Sequence, residues 1–246
     1  MCRWLAYRGT PIFLSELLFE PENSLIDQSL HARQAIATTN GDGFGIGWYD
    51  ARPGPGIFRD VLPAWNDENL RSLAEQIRSG LFLAHVRAST GTSTARQNCH
   101  PFRHGRWLFM HNGQIGGYGD VRRHLEMKIT PELYRERLGT TDTEAMFLLA
   151  LTYGLEDDPE TALARMVGTI EGLMAEAEVE RPLRISLAVT DAEHIIALRY
   201  SSDRQSPSMY LGLGGEALAD AGIGVGDDGP SVLVLSEPLD DVSQNW

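Results

Sequence analysis

The chain has 246 residues, of which 42% are apolar and 22% charged, and its formal net charge at pH 7 is −13. This length and composition fit one large globular domain or two small ones. The acidic excess makes nucleic acid and anionic membranes poor partners, because like charges repel. The longest apolar run, at residues 145–153, is far shorter than the roughly 20 residues that a membrane-spanning helix needs.

The start of the chain carries one of its two cysteines, Cys2; the other is Cys99. Two cysteines are too few for a disulfide framework, so we expect a reducing compartment, the cytoplasm. Residues 1–9 contain two arginines and no sustained apolar run, so no secretory signal is expected. Removal of Met1 would leave Cys2 with a thiol and a free α-amine on the same carbon. An α-amine has an ordinary pKa of ~7.7–8.0, so Cys2 would combine a nucleophile with its own base.

The predicted elements come in blocks of strands and helices. Strand patterns cover residues 44–50 and 57–62, on either side of a Pro/Gly loop at 52–56, and then 81–88, 106–111, 183–190, 194–200, 209–212 and 231–236. Helical spacing covers residues 67–78, capped by Asp67, residues 141–154, capped by Thr141 or Asp142, and residues 159–178. The strand at 106–111 is predicted to end in a turn at Asn112-Gly113. Because βαβ alternation is missing, the pattern predicts an α+β fold with antiparallel sheets.

Two motifs in the first half could approach a ligand. The glycines of residues 43–47 lie in a strand pattern that leads to Trp48 and not into a helix, which excludes a dinucleotide-binding loop. The run indicates either a bulged strand or backbone kept bare for a ligand. Arg87 ends a strand pattern on the same face as His85. Its planar guanidinium could bind a carboxylate or form an ordinary surface salt bridge.

Two later motifs also have a structural and a functional interpretation. Asn112-Gly113 is a strong hairpin signal, but the Asn amide and the Gly N–H are also two donors that could stabilise an oxyanion. The run at 140–144 fits a helix cap, and it could also provide a carboxylate, Asp142, that binds an ammonium group.

In this order, the motifs resemble the class II glutamine amidotransferase domain, and most closely the stand-alone branch that includes the γ-glutamyl amidohydrolase of ergothioneine synthesis. The motifs are Met1-Cys2-Arg3, Asp42-Gly43-Phe44-Gly45, Ala84-His85-Val86-Arg87, Asn98-Cys99-His100-Pro101, His111-Asn112-Gly113, Thr141-Asp142-Thr143-Glu144 and Ser236-Glu237-Pro238-Leu239. The resemblance implies a single domain over residues 2–246. The implied fold is the N-terminal-nucleophile hydrolase fold, a four-layer αββα sandwich of two antiparallel sheets between helical layers.

The resemblance also implies the catalytic residues. Cys2 is expected to be the nucleophile and its α-amine the base, with Asn112 and the N–H of Gly113 forming the oxyanion hole. The reaction is hydrolysis of the γ-amide of glutamine or of a γ-glutamyl conjugate through a thioester. Neither a metal nor another cofactor is expected.

The substrate-binding residues follow from the same resemblance. Arg87 is expected to bind the α-carboxylate of the substrate and Asp142 its α-ammonium, while Ser89 and Thr90 add hydrogen bonds to the carboxylate. These groups contact only the amino-acid end, so the substrate could be glutamine or another γ-glutamyl compound.

Three alternatives remain open. The domain is expected to fill the chain, so ammonia released by it could serve a separate synthetase partner. A chain that keeps Met1 would have a blocked amine and could be a non-catalytic binding module. A conventional cysteine hydrolase could use Cys99 with His100 or His111, although neighbouring strand residues such as Cys99 and His100 point to opposite faces.

Overall fold

A computed structural model describes residues 2–33, 39–89, 91–213, 231–242 and 246. These residues form two antiparallel sheets, one of six strands and one of four, together with seven α-helices. The strands are β1 (Arg3–Phe13), β2 (Phe44–Tyr49), β3 (Gly56–Asp60), β4 (Arg78–Val86), β5 (Phe102–His104), β6 (Trp107–Ile115), β7 (Leu183–Thr190), β8 (Ile195–Ser201), β9 (Tyr210–Leu213) and β10 (Val232–Leu235). The helices are α1 (Ser15–Leu18), α2 (Leu25–His31), α3 (Glu68–Ala74), α4 (Tyr118–Glu126), α5 (Pro131–Tyr134), α6 (Asp142–Thr152) and α7 (Pro159–Glu176). Among these helices, none has the length and apolar character of a membrane-spanning segment.

The chain divides into two compact units. The first comprises Met1–Asn112, Leu187–Ala197 and Ser208–Trp246, and the second comprises Gly113–Ser186 and Leu198–Pro207. The prediction of one domain over residues 2–246 stays a prediction.

The first unit is built on the six-stranded sheet, whose strand order is β3-β2-β4-β1-β10-β9. One face of β1 contributes Leu5 and Tyr7 to an apolar cluster with helices α1, α2 and α3. The opposite face contributes Trp4 and Ala6 to a second cluster, which includes Leu108 of β6. Both faces of β1 are therefore buried, and no alternation of polar and apolar residues marks this strand in the sequence. Arg8, Gly9 and Pro11 also interrupt its apolar residues, so β1 lacks the continuous apolar run that marked β4, and the sequence did not predict it.

The glycines of β2 allow two segments of the first unit to pack closely. A Cβ atom on Gly45 would collide with the backbone carbonyl of His100, and one on Gly47 would lie 2.7 Å from a methyl group of Leu108. The absence of side chains at these two positions therefore makes room for other residues of the protein, His100 and Leu108.

The second unit contains α6, a helix buried on every side over residues 143–151. Its predicted cap is confirmed, since the Thr141 hydroxyl accepts a hydrogen bond of 3.1 Å from the Glu144 N–H. Helices α4 and α7 pack against α6. The cap and the packing fix the first turn of α6 and, with it, Asp142.

All of the predicted strands and helices are present, most of them with shifted ends. The helix expected at residues 159–178 is α7, and Asp67 caps α3 by accepting a hydrogen bond of 2.8 Å from the Leu70 N–H. Helix α3 ends at Ala74, four residues before the end that its spacing predicted, because β4 already begins at Arg78. Besides β1, the sequence did not predict the short strand β5 or the helices α1, α2, α4 and α5.

The turn predicted at Asn112-Gly113 is wrong, because β6 continues through both residues to Ile115. Gly113 has a φ of 149°, a value that favours glycine. A glycine is therefore suited to this position because of the backbone conformation within β6, and not because of a turn. The left-handed residue that follows β6 is Gly117, with a φ of 63°, immediately before α4.

Candidate active site

The ladder between β1 and β4 places Cys2 beside the residues that follow β4. Arg3 pairs with Val86 at the end of this ladder, so Cys2 lies next to the chain segment that begins at Arg87. The thiol of Cys2, a residue that is partly exposed as a whole, donates a hydrogen bond to the carbonyl oxygen of Ala88, with a sulfur–oxygen distance of 3.6 Å. Burial raises the pKa of this thiol, so it needs a base to ionise at neutral pH.

Arg87 is a buried cation with neutral hydrogen-bond partners. Its guanidinium donates to the carbonyl of Asp42 at 3.1 Å, to the hydroxyl of Ser89 at 3.2 Å and to the hydroxyl of Thr92 at 2.6 Å. The Asp42 carboxylate accepts the N–H of Ser89 at 2.7 Å, which fixes the start of this loop. Only 3% of Arg87 is exposed, and no carboxylate of the described residues pairs with it. A buried cation without a counter-ion is costly, so this position is suited to an incoming anion.

Asn112, in β6, has a buried side-chain amide without a hydrogen-bond partner. It is 1% exposed, and neither its oxygen nor its nitrogen is bonded to any of the described residues. Such a group typically costs ~1–3 kcal/mol of stability, a cost that a bound ligand or water with a hydrogen-bonding group would remove. The preceding carbonyl, that of His111, lies 3.3 Å from Nε2 of His85, and His85 pairs with Trp4 of β1, the strand that follows Cys2. This contact ties the backbone before Asn112 to the strand that leads to Arg87.

Three histidines surround this contact. Nε2 of His85 faces a carbonyl and must carry a proton, while Nδ1 of His100 accepts the His111 N–H at 3.4 Å and must lack one. The rings of His85 and His100 are 4.1 Å apart between centroids. Burial lowers the pKa of His85 to about 3 and places that of His100 well below its ordinary value. Both rings are therefore neutral in the folded protein.

This burial makes stability depend on pH. The unfolded chain protonates His85 below pH ~6.5, whereas the folded protein does so only near pH 3, so the free energy of unfolding should fall as the pH drops between these values. From pH 6.5 to 5.0 the loss attributable to His85 should be about 2 kcal/mol, and His85→Gln should remove it. Urea denaturation at both pH values checks this. His124→Gln, at an exposed position on α4, is the control, and an unchanged pH dependence in His85→Gln would show that His85 is not held neutral.

Two of the predicted site residues, Gly113 and Asp142, belong to the second unit. The Asp142 carboxylate accepts the N–H of Ile115 at 2.9 Å through Oδ2 and the N–H of Thr143 at 2.8 Å through Oδ1. It is thus oriented by β6 on one side and by its own helix on the other. Another predicted residue, Thr90, lies outside the described residues.

Cys99 does not have the surroundings of a nucleophile. Its side chain is completely buried, and its thiol lies 3.3 Å from the carbonyl oxygen of Asp60 and 3.7 Å from that of Ala95. Burial also raises its pKa. The alternative of a hydrolase that uses Cys99 with His100 or His111 therefore lacks structural support.

Sequence reasoning missed the groups that hold Arg87. Asp42 stood in a recognised motif but without a role, and no sequence signal pointed to Thr92. Among the described residues, no group of three or more His, Cys, Asp or Glu side chains could hold a metal ion.

The comparison with known families agrees with these motifs. Residues 19–207 match the family described as glutamine amidotransferases class II. The chain belongs to this family, and the predicted membership is confirmed. Its members are enzymes that act on the small molecule glutamine.

Two curated relatives are similar to the chain. The probable glutamine amidotransferase DUG3 of Saccharomyces cerevisiae is 34% identical over the whole of this chain, a match that covers 78% of DUG3. The γ-glutamyl-hercynylcysteine sulfoxide hydrolase of Mycolicibacterium smegmatis is 36% identical in a match that covers 47% of this chain and 52% of that protein.

Solved structures show the same fold. A glutamine aminotransferase class-II domain protein from Silicibacter pomeroyi is 42% identical and superposes with a TM-score of 0.72, covering 96% of this chain and 89% of the other. The glutamine phosphoribosylpyrophosphate amidotransferase of B. subtilis superposes with a TM-score of 0.60 at 14% identity, covering 96% of this chain and 42% of that one. The second likeness concerns the fold alone.

Proposed function

We propose that this enzyme hydrolyses the γ-amide of glutamine or of a γ-glutamyl conjugate through a thioester on Cys2. The observation that carries the proposal is the juxtaposition of a thiol and an unpaired buried cation. The Cys2 sulfur lies 3.6 Å from the carbonyl oxygen of Ala88, the residue after Arg87, whose guanidinium has only neutral partners among the described residues. A γ-glutamyl substrate brings both groups that this arrangement needs, a carboxylate and an electrophilic carbonyl.

The proposed reaction begins at the amino terminus. After removal of Met1, the α-amine of Cys2 takes the thiol proton, which the raised thiol pKa makes necessary, and the thiolate attacks the γ-carbonyl carbon. The side-chain amide of Asn112 and the N–H of Gly113 donate to the oxyanion. The tetrahedral intermediate collapses as the protonated amine gives its proton to the leaving ammonia or amine. Water then hydrolyses the thioester, which yields glutamate and restores the thiol.

Substrate recognition in this proposal is limited to the glutamate end. Arg87 binds the α-carboxylate with help from Ser89 and Thr90, and Asp142, already oriented by two backbone N–H groups, binds the α-ammonium. In this proposal, none of these residues contacts the leaving group. The four-layer αββα sandwich and the cytoplasmic location implied by the resemblance and by cysteine usage are also part of the proposal.

The names of the two relatives agree with two versions of this chemistry. One relative is named a γ-glutamyl-hercynylcysteine sulfoxide hydrolase and the other a probable glutamine amidotransferase. Direct hydrolysis is our first choice, and the second is the release of ammonia to a separate synthetase partner.

The test is a panel of γ-glutamyl compounds, with glutamine included, incubated with the purified protein and assayed for released glutamate. Mass spectrometry of the same sample establishes whether Met1 has been removed. Glutamate release by the Met1-free protein without any added protein supports direct hydrolysis. Release only in the presence of a partner protein supports the second choice, and no release under either condition contradicts both.

A conservative change at Arg87 should weaken substrate binding selectively. Lysine keeps the charge but replaces the planar fork by a point donor, so we expect Arg87→Lys to raise KM for glutamine about 10–100-fold while kcat changes much less. Steady-state kinetics measure both values. Arg106→Lys, at a partly exposed position on the loop between β5 and β6, is the control, and an unchanged KM in Arg87→Lys would contradict the assigned role.

A further inference from the structure

Arg3, the residue after the proposed nucleophile, forms a buried ion pair with Glu237. The Nε atom of Arg3 lies 2.8 Å from Oε2 of Glu237, and the two side chains are 0% and 1% exposed. Stability is a poor explanation for such a pair, because an apolar pair of similar volume is often as stable or more stable. The two charges are therefore candidates for a role outside stability.

The second contact of Arg3 indicates that role. Its Nη1 atom donates a hydrogen bond of 3.0 Å to the carbonyl oxygen of Cys2. Cys2 precedes β1, and the ladder with β4 begins only with the pair of Arg3 and Val86. The guanidinium thus holds the peptide group of the residue that carries both the thiol and the amine.

Glu237 is itself held in place by several segments of the first unit. Its Oε1 accepts hydrogen bonds from the side chain of Asn23 at 3.3 Å and from the N–H of Arg33 at 3.0 Å. The side-chain amide of Gln28 donates to the carbonyl of Glu237 at 3.2 Å. One residue earlier, Ser236 extends the pairing of β10 with β1, because its N–H donates to the carbonyl of Trp4 at 3.0 Å. These hydrogen bonds fix the position of the Glu237 carboxylate. Since Arg3 is bonded both to this carboxylate and to the carbonyl oxygen of Cys2, Glu237 also restricts the position of Cys2.

We propose that Arg3 and Glu237 are positioning residues for the nucleophile, which fix the carbonyl of Cys2 and thereby the directions of its thiol and α-amine. This inference rests on the proposed function. The side-chain hydrogen bonds of the pair given above involve Cys2, Asn23 and Arg33, and none of them involves Arg87. Loss of the pair should therefore act on kcat and leave KM nearly unchanged.

The test variant is Arg3→Met/Glu237→Gln. It removes both charges together, so no buried charge is left unpaired, and glutamine keeps an oxygen for Asn23 and Arg33. The Cys2 carbonyl loses its donor. We expect kcat for glutamine to fall about 100-fold, as for other small displacements of a reacting group, with KM within about threefold of the wild type and an unchanged urea midpoint.

Arg184→Met/Asp203→Asn is the control, since it removes an ion pair of 2.6 Å within the second unit, whereas Cys2 belongs to the first unit. It should leave kcat unchanged. Arg3→Lys provides an independent measurement because one ammonium cannot reproduce the two-sided contact to Glu237 and to the Cys2 carbonyl. The kcat of Arg3→Lys should also fall at constant KM. If the double variant does not fold, Arg3→Lys alone tests whether Arg3 positions Cys2.

The outcomes separate this inference from the proposed function. A wild-type enzyme that releases no glutamate with or without a partner protein, assayed after confirmed removal of Met1, would refute the proposed function. An active wild type with an equally active Arg3→Met/Glu237→Gln variant would overturn the positioning role alone. A rise in KM at constant kcat would overturn it as well.

Discussion

Replacement of Cys2 by alanine should abolish glutamate release, with a loss of roughly 10⁴–10⁶-fold in kcat, because the variant lacks the group that forms the thioester. The α-amine and the proposed oxyanion donors remain in this variant, but without a nucleophile they can support only residual catalysis by water. Initial rates of glutamate release from glutamine, measured with both proteins at the same concentration, check the prediction.

Cys99→Ala is the matched control for that experiment. Cys99 is the other thiol of the chain, and it is completely buried against the carbonyl oxygens of Asp60 and Ala95. We expect this variant to keep most of the activity, and any loss should follow its folded fraction. Comparable activities of Cys2→Ala and Cys99→Ala would refute Cys2 as the nucleophile.

The second large effect is expected at Asn112. Loss of one oxyanion donor typically lowers kcat about 10²–10³-fold, so Asn112→Ala should show a loss of this size with little change in KM. Stability should respond differently. The Asn112 amide is buried without a partner among the described residues, so its removal should leave the free energy of unfolding within about 1 kcal/mol of the wild type or above it.

Asn98→Ala is the comparison for stability. Asn98 is also 1% exposed, but its amide donates to the carbonyl of Ser93 at 3.0 Å. Removing a satisfied buried amide should cost about 1–3 kcal/mol in urea denaturation. If Asn112→Ala loses as much stability as Asn98→Ala and keeps its kcat, Asn112 has a structural role only.

Local signals in the sequence predicted the elements that depend on local chemistry. Asp67 and Thr141 cap α3 and α6 as expected, because a cap involves only the first turn of its own helix. Strand β1 escaped prediction because Arg8, Gly9 and Pro11 interrupt its apolar residues, whereas β4, which is also buried on both faces, was recognised from a continuous apolar run. The Asn112-Gly113 pair was misread because its turn preference is overridden by the pairing of β6 in a sheet.

The sequence motifs predicted which residues belong to the candidate site. They did not predict how deeply those side chains are buried or which groups they are hydrogen-bonded to. Its motif predicted that Arg87 binds the α-carboxylate of the substrate. The hydroxyl groups that accept hydrogen bonds from Arg87 belong to Ser89 and Thr92, in the loop that follows it. The motifs likewise did not predict the ion pair of Arg3 and Glu237, which lie 234 positions apart in sequence and 2.8 Å apart in the fold. No local pattern can express such a pairing.

The most direct measurement is the mass of the wild-type enzyme quenched with acid during turnover of glutamine, followed by peptide mapping. We predict a protein without Met1 that carries one γ-glutamyl group, with the modified residue at position 2. A γ-glutamyl group on Cys99, or full activity of a protein that retains Met1, would contradict it.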